Sequence, residues 1–174
     1  MFGSSGRRRI RIQAAVLNSH AMADPFLRAA IEQAKMGLAR KNGIPIGAVL
    51  VVDGVIIAGG YNKRVQQNSP ILHAEMDCLA NAGRLRAGQY QRATLYSTLS
   101  PCDMCSGAIL LYKIPRVVIG ENRTFCGPEE YLRSRGVLLD VQDSEECFRL
   151  MQGFIGRFPS LWNEDIGEPD KPLD

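Results

Sequence analysis

Residues 94–120 read TLYSTLSPCDMCSGAILLYKIPRVVIG, and this stretch sets the fold class. Its first part, 94–99, is rich in β-branched and aromatic residues and predicts a strand. The segment 102–112 has the length and apolar content of a helix, and 116–120 is again a short β-branched run. A strand, a helix and a strand in this order indicate an α/β protein.

The residues before this stretch predict a β-hairpin. Two β-branched runs, 46–52 and 55–61, are joined by Asp53-Gly54, a dipeptide typical of two-residue turns. A hairpin followed by alternating helices and strands favours a mixed sheet of about five strands with helices on both faces, a three-layer α/β/α sandwich. The other segments are predicted as helices at 25–41, 72–85, 129–135, 144–157 and 161–166, a strand at 137–141, and loops at 62–69 and 121–128.

The composition is that of one globular domain. The chain has 174 residues, of which 45% are hydrophobic and 22% charged, and a chain of this length buries about 70% of its unfolded surface. It contains no apolar run of the ~18 residues that a transmembrane helix needs, so we predict no membrane partner. We predict a flexible basic leader at 1–21 and a single domain at 22–174.

The positive net charge comes from the leader. Residues 1–21 hold four of the 21 basic residues and none of the 18 acidic ones, so the rest of the chain carries a net charge of −1. Five acidic residues and one lysine lie between 158 and 174. A surface of this charge repels nucleic acid, so we predict no nucleic-acid partner. The leader is compatible both with an organelle transit peptide and with an upstream start.

The five cysteines indicate a reducing compartment. Their number is odd and no secretory signal precedes them, so a disulfide framework is not favoured. Metal-binding or buried thiols are the better interpretation. We therefore predict a cytoplasmic protein, with a nuclear or organelle location as the alternative.

Three side chains have the spacing of a zinc site. His73 opens one predicted helix, and Cys102 and Cys105 lie three residues apart at the start of another. The N-terminal end of a helix lowers the pKa of a thiol and favours the thiolates that zinc requires. Three ligands leave a fourth position open, as in catalytic zinc sites. In the alternative, Cys78 or Cys126 completes a closed structural site.

Glu75 follows the histidine by two residues, which places it beside the metal without binding it. A carboxylate there takes a proton from zinc-bound water and returns it to a substrate. Zinc lowers the pKa of that water to about 7, so hydroxide is available at neutral pH. The pattern predicts a zinc hydrolase, with a zinc-stabilised interaction module as the non-enzymatic alternative.

These motifs resemble the signature of zinc nucleobase deaminases, His-x-Glu followed by Pro-Cys-x-x-Cys. The chain resembles the cytidine/deoxycytidylate deaminase superfamily and, within it, the fungal-type cytosine deaminases, over roughly 24–168. The resemblance is strongest at 43–47, 72–75 and 98–108, and it extends through 114–116, 120–122, 130–132, Trp162 and 164–168. The last block separates the fungal-type enzymes from the transfer-RNA adenosine deaminases, which share the zinc motifs.

The resemblance implies the full set of site residues. It implies one zinc ion per subunit on His73, Cys102 and Cys105, with Glu75 as the catalytic proton shuttle. It implies pyrimidine binding by Asn62, the backbone N–H of Ala74, the carbonyl of Ser100, Phe125, Trp162, Asp165, Ile46 and Leu99. Without the resemblance, Phe125 and Trp162 are interpreted as packing residues, Asp165 as a helix residue and Asn62 as a possible turn residue.

The resemblance also implies the reaction, hydrolytic deamination of free cytosine to uracil and ammonia in pyrimidine salvage. The acidic C-terminal segment then forms a lid that leaves little room for a ribose. The alternatives are deamination of adenosine in transfer RNA and deamination of another small ring such as guanine, isocytosine or a pterin. The helix after Cys105 is apolar on nearly all sides. This favours a homodimer, as in the enzymes that the chain resembles, although a neighbouring helix of the same chain would also cover it.

Overall fold

The structure, a computed structural model, describes residues 24–169. Five strands form one sheet in the order β2-β1-β3-β4-β5. They are β1 (Gly47–Val52), β2 (Val55–Tyr61), β3 (Ala93–Leu99), β4 (Arg116–Glu121) and β5 (Leu138–Val141). The helices are α1 (Pro25–Ala39), α2 (Arg64–Gln67), α3 (Ala74–Ala82), α4 (Ala87–Tyr90), α5 (Asp103–Tyr112), α6 (Glu129–Ser134), α7 (Glu145–Arg157) and α8 (Pro159–Ile166).

The hairpin of β1 and β2 forms as the Asp53-Gly54 pair predicts. Val52 pairs with Val55, and the two turn residues have positive φ angles of 52° and 78°, as the favoured two-residue hairpin turn requires. The ladder then runs, with one β-bulge, to the pair of Gly47 with Tyr61. The turn therefore sets the register of the hairpin, and this register places the residues after Tyr61 at one edge of the sheet.

Helices cover both faces of the sheet, so the predicted three-layer α/β/α sandwich is confirmed. Along β1, Val49 and Val51 belong to a buried cluster with α1. Ala48, Leu50 and Val52 belong to a larger cluster with α3, α5 and α6. This alternation follows from the strand geometry, because successive side chains point to opposite faces.

The strand directions gather several chain segments at one edge of the sheet. Strand β3 is antiparallel to β1 and parallel to β4, and β1 is antiparallel to β2. The carboxyl ends of β2, β3 and β4 therefore lie at the same edge, where the loop before α3 and the start of α5 follow. The mixed sheet of five strands matches the prediction.

The structure differs from the predicted elements in short segments. Helix α2 lies within the predicted loop 62–69, and α4 follows the predicted helix 72–85, which ends at Ala82. Both short helices have four residues, too few to show the 3.6-residue repeat of apolar positions. The predicted leader at 1–21 lies outside the described residues. Within 24–169, no helix is long and apolar enough to cross a membrane.

Gly60 marks the place where β2 touches the backbone of α3. A Cβ atom at this position would lie 2.3 Å from the amide nitrogen of Cys78. We expect Gly60→Ala to destabilise the fold by about 2–3 kcal/mol, because the helix backbone has to move, and to lower activity, because α3 carries Glu75. Urea-induced unfolding measures the loss.

The matched control for this substitution is Gly153→Ala in α7. A Cβ atom there meets nothing within 4 Å, so alanine at this exposed position should stabilise the helix by up to about 1 kcal/mol. Equal unfolding midpoints for the two variants would contradict the close approach of β2 to α3.

Candidate active site and metal centre

Two helix N-termini meet at the edge of the sheet where β3 ends. His73 is the N-cap residue of α3, Cys102 is the N-cap residue of α5, and Cys105 lies in the first turn of α5. The potential ligand atoms of these three side chains all lie within 4.8 Å of one another. Nδ1 of His73 is 3.4 Å from Sγ of Cys102. The structure therefore brings the three side chains into one cluster.

The donor set and its surroundings fit zinc. One imidazole nitrogen and two sulfurs are donors that zinc prefers in proteins. With Nδ1 of His73 on the side of Cys102, Nε2 lies 3.6 Å from the carboxylate of Asp165. Metal-binding histidines ordinarily donate their second N–H to such a carboxylate. Among the described residues the cluster offers three ligands, which is the pattern of a catalytic rather than a structural zinc site.

The closed four-ligand alternative finds no support in the part of the chain that the structure describes. Cys78 is buried in α3, and its Sγ lies 3.5 Å from the carbonyl oxygen of Ala58. Cys126 is exposed, with its Sγ 3.6 Å from the carbonyl oxygen of Gly127. Neither thiol belongs to the cluster of potential ligands.

The two clustered thiols share one negative charge. Hydrogen bonds from Cys105 and His73 lower the pKa of Cys102 to about 4. The hydrogen bond to that thiolate, together with burial, raises the pKa of Cys105 well above its ordinary value. Burial by itself lowers the pKa of His73, but the hydrogen bond to Cys102 and the charge of Asp165 outweigh it and raise that pKa. A metal ion that binds here displaces the proton that Cys105 keeps.

Glu75 is buried beside this cluster, in the first turn of α3. Its Oε1 accepts a hydrogen bond from the Ser97 hydroxyl at 2.7 Å, and its Oε2 accepts one from the Cys105 thiol at 3.3 Å. Burial, and after it the negative charge of Cys102, raises the pKa of this carboxyl group. A carboxyl group with a raised pKa is suited to accept and return a proton near neutral pH.

Ser97 is a site residue that the motifs do not reveal. It lies in β3, fully buried, opposite Ala48 of β1. Its one signal in the sequence is that Ser97 and Thr98 place two adjacent hydroxyl groups in a strand that is otherwise mostly apolar. Its hydroxyl group holds one oxygen of Glu75 and leaves the other directed to the thiol cluster.

A narrow cavity, called the pocket below, extends from the cluster to α8. Besides His73, Glu75 and Cys102, its walls are formed by Ile46, Leu99, Ser100, Phe125, Trp162, Asp165 and Ile166. Six of the eight substrate-binding residues that the resemblance implies thus line the pocket, and Ile166 was not among them. The rings of Phe125 and Trp162 meet edge to face with centroids 6.0 Å apart. Apolar walls with a few placed polar groups are typical of small-molecule sites.

The other two expected residues, Asn62 and Ala74, lie next to the pocket without lining it. Asn62 is fully buried. Its Nδ2 donates to Oδ1 of Asp165 at 2.8 Å, and its Oδ1 accepts from the backbone N–H of Arg64 at 3.1 Å. An amide nitrogen carries two N–H donors, so one remains for a ligand. Ala74 is the first residue of α3, and its N–H has no partner within the helix.

Asp165 joins α8 to the rest of the site. Besides Asn62, its Oδ1 accepts from Nη1 of Arg64 at 3.4 Å, while Nη2 of the same guanidinium lies 3.3 Å from Glu164. Burial raises the pKa of Asp165. Arg64 has no signal in the sequence, where it is one basic residue in a polar segment.

The loop that carries Phe125 is fixed against the segment that carries Cys102. The hydroxyl of Ser100 donates to Glu129 at 2.9 Å and accepts from the N–H of Gly127 at 3.1 Å. A Cβ atom on Gly127 would lie 1.8 Å from the carbonyl oxygen of Pro101, so the two backbones touch. The aromatic wall and the thiol cluster are therefore held together by short-range contacts.

A wider groove, the vestibule, opens outside the pocket. Its lining includes four acidic side chains, Asp103, Glu164, Asp165 and Glu168, and one arginine, Arg64. A groove of this charge attracts cations and repels phosphate groups. The acidic side chains of this lining thus outnumber its one arginine.

Known proteins are similar to this chain in sequence and in fold. Residues 21–121 match the family described as cytidine and deoxycytidylate deaminase zinc-binding region. The chain is 48% identical over 143 residues to the cytosine deaminase of Candida albicans, covering 82% of this chain and 95% of that protein. It is 42% identical over 146 residues to a tRNA-specific adenosine deaminase of Streptococcus pyogenes, covering 75% of this chain and 87% of that protein. A solved structure from a study of A-to-I editing by tRNA:A34 deaminases has a TM-score of 0.59 at 28% identity, covering 72% of this chain and 97% of the other.

Proposed function

Since this chain belongs to the cytidine and deoxycytidylate deaminase zinc-binding family, we propose that it hydrolyses the free base cytosine to uracil and ammonia. The observation that carries this proposal is the pocket, which is narrow, lies directly on the cluster of metal ligands and is covered by α8. A flat ring fits between apolar walls of this kind, whereas a ribose or a polynucleotide needs an open side. The 48% identity to a cytosine deaminase supports the same substrate.

His73, Cys102 and Cys105 would hold the zinc ion. When bound, zinc supplies Lewis-acid activation of the water that attacks the ring carbon bearing the amine. Asp165 keeps the imidazole of His73 oriented from the other side, at 3.6 Å from Nε2. These residues would hold the metal ion, and the water that it activates, at a fixed position next to Glu75.

Glu75 would carry the proton between water and substrate. Its Oε1 is held by the Ser97 hydroxyl, and its Oε2 faces Cys105. A deprotonated Cys105 no longer donates to Oε2, so Oε2 is the oxygen free to take a proton from the attacking water. The same oxygen gives this proton to the ring nitrogen beside the reacting carbon. It then takes the second proton from the hydroxyl group now attached to that carbon and gives it to the leaving amine, so that ammonia departs and the carbonyl of uracil forms.

The remaining groups of the pocket would orient the base. The free N–H of Asn62 and the backbone N–H of Ala74 are donors for the carbonyl edge of cytosine. The carboxylate of Asp165 and the carbonyl of Ser100 are acceptors for the amine. Phe125 and Trp162 cover the ring, and the side chains of Ile46 and Leu99 complete the apolar wall.

The alternatives to cytosine are transfer-RNA adenosine, another small ring, and a zinc site without catalysis. A tRNA-specific adenosine deaminase is among the similar proteins, but the acidic vestibule disfavours the phosphates of an anticodon arm. Guanine or a pterin, with two fused rings, would use the same chemistry in a larger pocket. Isocytosine has the size of cytosine but carries its amine on a different ring carbon, so it would have to bind in another orientation. A purely structural zinc site is disfavoured because it does not account for a buried carboxyl group, Glu75, next to the cluster.

Ammonia release from the zinc-loaded protein tests the proposal. Cytosine, cytidine, guanine and a transfer-RNA anticodon stem-loop are compared at equal concentration. We expect turnover of cytosine, with cytidine and the stem-loop slower by at least about 10²-fold because they do not enter the covered pocket. Turnover of the stem-loop alone would contradict the proposal, as would faster turnover of another base.

Exposed residues and free thiols support a proposal for the assembly and location of the enzyme. Leu111 and Tyr112 are exposed at the end of the apolar helix α5, which supports a homodimer, and a monomer in sedimentation velocity would contradict it. All five cysteines are free of disulfides, which supports a reducing compartment such as the cytoplasm, and a cytosine deaminase there would serve pyrimidine salvage. We also propose that residues 22–174 form one domain with α8 as its lid, and that residues 1–21 form a leader. Limited proteolysis of the zinc-loaded protein tests these bounds.

A further inference from the structure

Helix α8 covers the pocket, and few polar contacts tie it down. Three side chains of α8 line the pocket, Trp162, Asp165 and Ile166. Among the described residues, the polar contacts between α8 and the elements opposite it come from Asn62, Arg64 and His73. Asn62 and His73 belong to the site itself, whereas Arg64 does not line the pocket.

Arg64 is placed to hold α8 by two neighbouring carboxylates. Its side chain is only 13% exposed, Nη1 lies 3.4 Å from Asp165 and Nη2 lies 3.3 Å from Glu164. The backbone N–H of Arg64 donates to Oδ1 of Asn62, and Asn62 donates to the same Asp165 oxygen that Arg64 contacts. One guanidinium thus joins the α2 segment to two consecutive residues of α8.

We propose that Arg64 is a positioning residue that fastens α8 over the pocket and orients the Asp165 carboxylate. The inference rests on the proposed function insofar as the pocket is the active site. Arg64 acts through α8 and Asp165, and it contacts none of the atoms that react.

The contacts of Arg64 with α8 are of a kind that can break and form again in each turnover, so that α8 can open and close over the pocket. An arginine bound to one carboxylate through two parallel hydrogen bonds makes contacts of about 2.7–2.9 Å. Here the contacts are longer and divided between two carboxylates, and the buried Nε of Arg64 has no hydrogen-bond partner among the described residues. Glu164 is 66% exposed, so water screens its contact with Arg64. Most of the attraction between Arg64 and α8 therefore comes from Asp165.

Removing the guanidinium should change substrate binding more than chemistry. In Arg64→Met the closed state is less populated, and the apparent affinity falls in proportion to that population. We expect KM for cytosine to rise about tenfold with kcat within about threefold of the wild type, because Glu75 and the zinc ligands are unchanged. Arg64→Lys reaches only one carboxylate and should lie between the two.

Trp162 gives a direct reading of α8 that does not depend on activity. It is the single tryptophan of the chain, it lies in α8, and it is 6% exposed. Acrylamide quenching of its fluorescence in the zinc-loaded protein should increase at least about threefold in Arg64→Met and less in Arg64→Lys. The matched control is Arg149→Met, which removes an arginine that pairs with Glu145 on the surface of α7 and should leave both KM and quenching unchanged.

Unchanged quenching and KM in Arg64→Met would overturn the proposal. If that variant does not fold or retain zinc, Arg64→Lys decides, since wild-type quenching and KM there would show that the divided contact is unnecessary. The quenching also separates this proposal from the proposed function. Exposure of Trp162 in a protein that does not deaminate cytosine would uphold the role of Arg64 and overturn the substrate.

Discussion

Glu75→Gln is expected to lower kcat for cytosine by about 10³- to 10⁴-fold, because glutamine cannot carry a proton from water to the ring nitrogen and the amine. The fold and the zinc content should persist, since glutamine has the same shape and its carbonyl oxygen still accepts from the Ser97 hydroxyl. The carboxyl group is buried and burial raises its pKa, so the substitution also removes the cost of a buried charge. Steady-state ammonia release, metal analysis and thermal unfolding measure the three quantities.

The control for this substitution changes a nearby carboxylate in the same way. Asp103 is exposed in the first turn of α5, next to Cys102. Asp103→Asn should keep kcat within about threefold, because its carboxylate is outside the pocket. A kcat near the wild-type value in Glu75→Gln would remove Glu75 from the reaction and favour an interaction module.

Cys102→Ala is expected to abolish both zinc binding and activity. The thiol of Cys102 has its pKa lowered to about 4, so it is the ligand that is already a thiolate at neutral pH. Its loss leaves two ligands, too few for a catalytic zinc site. Because a ligand present at 1,000 times its Kd stabilises a fold by about 4 kcal/mol, the variant should also unfold at a lower temperature than the zinc-loaded wild type.

Cys126→Ala is the matched control among the thiols. Cys126 is exposed at the rim of the vestibule and outside the cluster of ligands. This variant should bind one zinc ion per chain and turn over cytosine at close to the wild-type rate. Loss of zinc from Cys126→Ala, or one zinc ion per chain in Cys102→Ala, would contradict the three-ligand site and favour the closed four-ligand site.

The parts of the site that could be predicted from the sequence are those fixed by local geometry. Cys102 and Cys105 lie three residues apart at a helix N-terminus, and His73 and Glu75 share another, so spacing alone indicates how each pair is presented. The Asp53-Gly54 turn likewise fixes the hairpin register. In each case the residues that cooperate are neighbours in the chain, where turn and helix rules apply.

The residues that could not be predicted act across long separations. Ser97 reaches Glu75 from 22 positions away, and Arg64 reaches Asp165 from 101 positions away. These contacts depend on how β3 packs behind α3 and how α8 returns to α2, which no local pattern encodes. The helices α2 and α4 were not predicted for another reason. Four residues are too few to show the repeat of apolar positions that indicates a helix.

The order of the elements along the chain has a consequence for biosynthesis. His73, Cys102 and Cys105 all precede α8, and the chain is synthesised from its N-terminus. The growing polypeptide therefore acquires its complete set of metal ligands before the helix that encloses the base has been made. Because Trp162 of α8 belongs to the main buried cluster, we expect a translation product that stops after Arg157 to lack part of its core as well as the helix that covers the pocket.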